Sequence, residues 1–336
     1  MFLIGWPMGM GLNGLRPVCY ELGKLGRSRA SQGELTMKPF QQYAAEGWTV
    51  VRGAIPAPLV RELAARFLND AKQCPDPQKR QNQREEPNKF DAHGFLKMPL
   101  LDPHHGTNPK LAGFRTAVLD LACSAPMLDA LAGVTLRPRH VLHQMMLFEQ
   151  AATAPHQDWV YLDSFPQGCL TAAWVALEDI SPAATRFFVV PGSQDFDREF
   201  PHEWIFGSSQ YLEAMKEIVR EQFADRIVIP EMFAGDVLFW NSRLIHGSLA
   251  GTDPTRSRLS LAVHYVPDGF GIGNRGTPLI EPSPLALVAD RPIPYTVMHA
   301  QSRKAESQAT GARPNSGWMH KVLRRLGRVR VFGGKR

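Results

Sequence analysis

Six short segments between His140 and Val266 constrain the fold of this 336-residue chain more than any other feature. They are His140–Phe148, His156–Tyr161, Leu170–Leu177, Arg186–Val190, Asp236–Trp240 and Arg258–Val266, separated by glycine and proline turns. Runs of that length and alternating character read as strands. A series of them broken by turns predicts two sheets packed face to face in a jelly roll. Helical spacing around Ser208–Phe223 interrupts the series and predicts one inserted helix.

The chain ahead of the strands has a different period. Phe40, Tyr43 and Ala44 share one face of a short helix that Gly47 ends, and Trp48-Thr49-Val50-Val51 follows as a strand. Pro56 and Pro58 introduce a second helix with Leu59, Leu63, Phe67 and Leu68 on its apolar side, and another helix is expected from about Pro109 to Ala132. Between them, Cys74 to Pro109 is polar and rich in proline and charge. It is long for an inert connection and reads as a lid or a segment ordered over a pocket. The predicted class is α+β: a jelly-roll, cupin-like core with N-terminal flanking helices. That domain takes residues 37–300. Residues 1–36 are expected as a poorly ordered extension, with Met37 as an alternative start, and 301–336 as a basic tail.

A hydrophobic content of 44% with 21% charged residues is that of a folded globular chain, not a disordered one. Met1–Trp6 is apolar but has no basic residues before it and is broken by Gly5 and Pro7. It is a poor signal peptide and too short to span a bilayer. Four cysteines without paired spacing argue against a disulfide scaffold or zinc ribbon and for a reducing, cytoplasmic setting. The net charge of +6 is unevenly spread, with +9 on residues 301–336 and −3 on the rest. The core therefore lacks the electrostatic footprint of a nucleic-acid binder. In the tail, Trp318, Val322, Leu326 and Val329 repeat at helical intervals among Lys321, Arg324, Arg325 and Arg328. A helix there would be basic and amphipathic, suited to peripheral contact with a membrane. Gly327, Gly333 and Gly334 weaken it, and a docked or solvated tail is the alternative.

His156 and Asp158 are two residues apart, so on an extended backbone both side chains point to one face. His246 follows in Leu244-Ile245-His246-Gly247-Ser248. Two imidazoles and a carboxylate on one face of an octahedral metal leave three positions open, the donor set of non-haem Fe(II) oxygenases. Gln157 points the other way and takes no metal role. Arg258 shares a strand face with Ser260, Ala262 and His264. Burying a guanidinium there is costly unless it meets an anion, and its planar fork matches a carboxylate. Arg256, on the same face but nearer the preceding loop, ranks second.

In order and spacing these pieces resemble the phytanoyl-CoA dioxygenase-like family of Fe(II)/2-oxoglutarate oxygenases over roughly Met37 to Gly269. The resemblance is carried by Tyr43 to Gly53, His156-Gln157-Asp158, Ala172 to Leu177, Val190-Pro191-Gly192-Ser193, Gly235-Asp236-Val237, His246-Gly247-Ser248 and Arg258. It implies a double-stranded β-helix in which His156, Asp158 and His246 form the catalytic centre and hold Fe(II). It further implies that 2-oxoglutarate chelates the iron and rests its distal carboxylate on Arg258. Ser248 would add a hydroxyl there and Trp174 would line the cosubstrate pocket, although each also reads as a turn or core residue. Dioxygen is then the oxidant, and a small-molecule or lipid-linked substrate is hydroxylated with release of succinate and carbon dioxide.

Three positions depart from the family pattern. Gln194 replaces the histidine after Pro-Gly-Ser, Thr185-Arg186 stands where a glycine is usual, and Glu149 lies where a lysine often precedes the His-x-Asp strand. They turn the expectation away from an acyl-CoA substrate toward another polar or anionic one, met by Arg186, Lys97, Arg139 or the histidines of the 91–105 segment. Asp158, in place of the small residue of related halogenases, favours hydroxylation over halogenation. Two other readings stay open on the residues: a cupin-type metal-dependent hydrolase or isomerase using the same three ligands, and a non-catalytic, membrane-associated binding protein.

Overall fold

The computed structural model describes residues 37–150, 152–206 and 209–274, and by backbone alone the strands at 277–280, 286–288 and 291–293. The expectations for residues 1–36 and for the basic tail fall outside the described residues.

Helix α1 (Pro39–Glu46) ends as expected at Gly47, whose φ of 80° lets its N–H return to the Tyr43 carbonyl. Strand β1 (Trp48–Val51) follows, then α2 (Ala57–Arg66), which runs on through a π-type turn at Phe67–Ala71. Of the two readings for Cys74 to Pro109, a lid or a segment ordered over a pocket, the structure has an ordered segment, and it is part of the body. It carries β2 (Gln78–Lys79), β3 (Glu85–Glu86) and β4 (Leu100–Leu101), and buries Leu96, Leu100 and Leu101 in the core.

The helix expected from Pro109 to Ala132 is two helices, α3 (Ala112–Ala122) and α4 (Ala125–Thr135). Ser124 divides them: its hydroxyl accepts the Met127 N–H as an N-cap, and Pro126 sits in the first turn of α4. Residues 109–135 are apolar and long enough to cross a bilayer. The break, and the burial of Phe114, Val118, Leu121, Met127 and Leu131 against the sheet, make them a helical pair of the core.

The chain continues with β5 (His140–Phe148), β6 (Asp163–Phe165), β7 (Thr171–Ala176), β8 (Arg186–Val189), α5 (His202–Phe206), α6 (Gln210–Gln222), β9 (Val237–Asn241), β10 (His246–Leu249), β11 (Ser260–Pro267), β12 (Gly271–Asn274), β13 (Thr277–Ile280), β14 (Ala286–Val288) and β15 (Arg291–Ile293). A six-stranded antiparallel sheet has the order β1-β9-β7-β11-β5-β4. Strands β8 and β10 pair separately, and β6, β12 and β13 form a third sheet.

Period-2 alternation sorts the large sheet's two faces. Ala173, Val175, Val237, Phe239, Leu261 and Val263 pack with the helices, whereas Ala172, Trp174, Leu238, Trp240 and Ala262 pack with Phe187 and Val189 of β8. The helix side holds the larger apolar cluster. At roughly 1.5–3 kcal/mol per fully buried Leu, Ile or Phe, that side carries most of the stability. The space between the sheets is left to aromatic and polar groups. This is the α+β jelly roll expected from the strand pattern.

Candidate functional site

Two strand expectations need correction, and both concern site residues. His156 to Tyr161 is not a strand. His156 makes an isolated bridge with His246, exchanging backbone hydrogen bonds of 3.0 Å in both directions. The chain then turns into a 3-10 helix at Asp158–Val160, closed by the Tyr161 and Leu162 N–H groups on the Asp158 carbonyl. Only Gln157 lies fully extended between them (φ −117°, ψ 132°), and one extended residue suffices to put the 156 and 158 side chains on the same side. Gln157 points away, as expected, and its amide donates to the Phe196 and Arg243 carbonyls. Likewise, β11 begins at Ser260, so Arg258 precedes the strand. Its N–H still reaches the Glu149 carbonyl at 2.7 Å, continuing the line of β5.

The side chains of His156, Asp158 and His246 converge, with one ligand atom from each lying within 4.8 Å of the others. Nε2 of His156 is 3.3 Å from Asp158 Oδ1, and Nε2 of His246 is 3.5 Å from the same oxygen. Each ring is oriented by its other nitrogen: Nδ1 of His156 meets the Ala154 carbonyl at 2.9 Å and Nδ1 of His246 the Leu244 carbonyl at 3.0 Å. A carbonyl can only accept, so both Nδ1 atoms carry the proton and both Nε2 lone pairs face inward. Phe187 stacks on His246 with centroids 5.5 Å apart and planes within 7°.

Burial pulls His246 down to about 4, which keeps it neutral. For Asp158 burial pushes the other way, but the neighbouring histidines hold its carboxyl well below the usual range. Burial also works to lower His156, and the neighbouring Asp158 carboxylate outweighs this and raises it, favouring a cation, whether proton or metal, on its inward nitrogen. Inward Nε2 lone pairs beside an ionised carboxylate fit a divalent transition metal with His₂-carboxylate ligation.

Asp158 has further partners that the sequence did not reveal. Its Oδ2 accepts the Trp240 indole N–H at 2.9 Å and lies 3.4 Å from His264 Nε2. Trp240 reads in sequence as the end of an apolar strand, and His264 only as sharing the Arg258 face.

Arg258 is 1% exposed, and its guanidinium lies 5.7 Å from the ring centroids of both Phe148 and Trp174. Burial brings it down to about 10, so it remains cationic at neutral pH. Nη1 donates to Ser248 Oγ at 2.7 Å. Trp174 is buried beside it, and its indole N–H has no hydrogen-bond partner among the described residues. An orphaned buried donor next to a buried cation suits an anionic oxygen-rich ligand.

Other candidates stand apart. Arg256 is an exposed residue paired with Asp253. Arg139 pairs with Asp268 at the surface, and Lys97 lines an open cavity of about 500 Å³ with Asp91, Gln150 and Thr185. His104 and His105 lie against each other near Asp102. Of the departures from the family pattern, Gln194 donates to the Ala45 carbonyl at the end of α1, and Glu149 is buried against Lys72 and the Leu96 N–H.

Comparison with known proteins supplies the rest. A stretch of 117 residues is 32% identical to a probable phytanoyl-CoA dioxygenase of Caenorhabditis elegans, covering 34% of this chain and 36% of the relative. The match thus spans about a third of that protein. Among solved structures, the non-haem α-ketoglutarate-dependent epimerase SnoN of nogalamycin biosynthesis is 19% identical with a TM-score of 0.51, over 73% of this chain and 93% of its own. The carbocyclase SnoK of the same biosynthesis is 17% identical with a TM-score of 0.50, over 71% and 86%. These two likenesses establish the fold. The family model for phytanoyl-CoA dioxygenase (PhyH) matches residues 43–258, well over half of the chain and all of the converging side chains. The chain belongs to the phytanoyl-CoA dioxygenase (PhyH) family.

Proposed function

We propose that His156, Asp158 and His246 hold the Fe(II), that Arg258 with Ser248 receives the distal carboxylate of 2-oxoglutarate, and that the enzyme hydroxylates a carbon of a small organic substrate. One observation carries this reading: a buried guanidinium, hydrogen-bonded to a hydroxyl and flanked by an orphaned indole N–H, in the same interior as two inward Nε2 atoms and an ionised carboxylate. A hydrolase or isomerase would need the three ligands but not the guanidinium.

Iron, when bound, supplies the oxidative decarboxylation of 2-oxoglutarate to succinate and carbon dioxide. The balance is one C–H bond, O₂ and 2-oxoglutarate in; one C–OH bond, succinate and carbon dioxide out. The chain's own part is orientation. The Ala154 and Leu244 carbonyls fix the imidazoles, and Arg258 and Ser248 set the far end of the cosubstrate. The apolar walls of Phe148, Trp174, Phe187 and Trp240 keep water from the reacting atoms. His156 is the partly exposed member of the three, so the substrate's carbon approaches from its side, next to Tyr161.

The test is turnover of 2-oxoglutarate. Asp158→Ala should lower succinate formation at least about a thousandfold, as expected when one of three ligands to a redox metal is removed. Succinate formation at the wild-type rate in that variant would sink the assignment.

A further inference from the structure

Asp158 is approached by both sheets, and its two oxygens meet different partners. Oδ1 faces Nε2 of His156 and of His246, which come from the bridge at the start of β10. Oδ2 faces Trp240 and His264, which come from the large sheet opposite. Building on the ligand assignment proposed above, we infer that Trp240 and His264 are positioning residues that grip one oxygen of Asp158, so that the carboxylate offers the metal a single oxygen.

Strand register builds the grip. Trp240 of β9 pairs with Ala172 of β7, and Ala172 pairs with His264 of β11, so the three side chains form one row across the sheet's inner face. The central member is a fully buried alanine, and Asp158 Oδ2 meets the rings on either side of it. Those rings stand nearly perpendicular, at 80° with centroids 6.3 Å apart, so their N–H edges can converge on one point. An ionised carboxylate only accepts, so His264 must present an Nε2–H to it. Nδ1 of His264 is buried and lacks a hydrogen-bond partner among the described residues. Its contact with Asp158 is therefore the polar contact on which the placement of the ring depends.

The consequence concerns coordination. A carboxylate free to rotate could give both oxygens to the metal and fill a fourth position. Held by Oδ2, Asp158 would fill one, and three would stay open for the cosubstrate and dioxygen. Donors of this kind behind a ligand typically change metal affinity about 10–100-fold when removed.

Cobalt(II), titrated anaerobically into the apoprotein, is the probe, with affinity and the visible ligand-field spectrum as readouts. Trp240→Phe keeps the ring and removes the N–H; His264→Leu removes the donor and His264→Gln retains one. The expected result is an affinity loss of about 10–100-fold with an altered spectrum in Trp240→Phe and His264→Leu, recovered in His264→Gln. Wild-type affinity and spectrum in both Trp240→Phe and His264→Leu would overturn the inference and leave the rings as packing. A loss in His264→Leu that His264→Gln does not recover would remove His264 from the grip. Asp158→Ala run alongside separates the two readings: if it still binds cobalt(II) as the wild type does, the ligand assignment itself has failed.

Discussion

Asp163 buries a carboxylate just beyond the turn that carries Asp158, where it accepts N–H bonds of 2.8 Å from both Ser164 and Gly168 and the Ser242 hydroxyl at 2.9 Å. Ser242 in turn accepts the Trp159 N–H through its carbonyl, so this carboxylate braces the turn that carries Asp158. Burial pushes Asp163 up to about 6 in spite of its three donors. A carboxyl raised above its unfolded value contributes stability that is full below that value, near 3.8, and is lost as pH rises through about 6. The difference corresponds to about 3 kcal/mol between pH 3.5 and pH 7.5. Asp163→Asn, which cannot ionise, should therefore gain stability relative to the wild type by up to that amount across the window, read as urea midpoints at several pH values. A gap that does not change with pH would contradict it. At this scale the sequence was most informative where chemistry is local. His156-x-Asp158 and the Gly247-flanked His246 could be picked out because one spacing and one motif define them. Trp240 and His264 could not, because their contact with Asp158 depends on the register of β9, β7 and β11, which no local pattern encodes.

Among the elements, the joint between α1 and β1 shows how tightly local and distant constraints coincide. Gly47 has φ of 80°, and a Cβ built there would lie 2.5 Å from Gln194 Oε1 and 2.8 Å from Leu244 Cδ1. Leu244 is two residues ahead of His246 and its carbonyl orients that ring. Gly47→Ala should cost about 1–3 kcal/mol in a urea melt, from left-handed strain plus the clash; an unchanged midpoint would show that the joint relaxes freely. Gly47 was legible as a helix end, and β5 was legible at both ends as a nine-residue run that follows Pro138. The break at Ser124 was hidden by an apolar periodicity that continues from α3 into α4, although Ser124 and Pro126 carried the signal. The run from His156 looked like a strand because Trp159, Val160 and Tyr161 are strand formers. The Trp159 N–H on the Ser242 carbonyl, an interaction from far along the chain, bends it into a turn instead. The stretch from Cys74 to Pro109 left a lid and an ordered segment both open, and it is ordered. Its composition is polar, yet Leu96, Leu100 and Leu101 suffice to fasten it to the core.

Across the whole molecule, the jelly roll brings together groups as far apart in sequence as His156 and His264. One sheet pair supplies His246 and Ser248, the large sheet supplies Trp174, Trp240 and His264, and the connections supply His156, Asp158 and Arg258. On the assignment proposed above, these residues form one site with two anchors, a metal at one end and a carboxylate clamp at the other. Anaerobic addition of Fe(II) and then 2-oxoglutarate to the apoprotein tests that directly, through the weak visible charge-transfer band of the iron–2-oxoglutarate chelate. The band should form in the wild type and be absent in His246→Ala. In Arg258→Ala it should require roughly 10–100-fold more 2-oxoglutarate, the loss expected when charge-assisted hydrogen bonds to one carboxylate are removed. A band that forms in His246→Ala, or that saturates at the wild-type 2-oxoglutarate concentration in Arg258→Ala, would contradict the account.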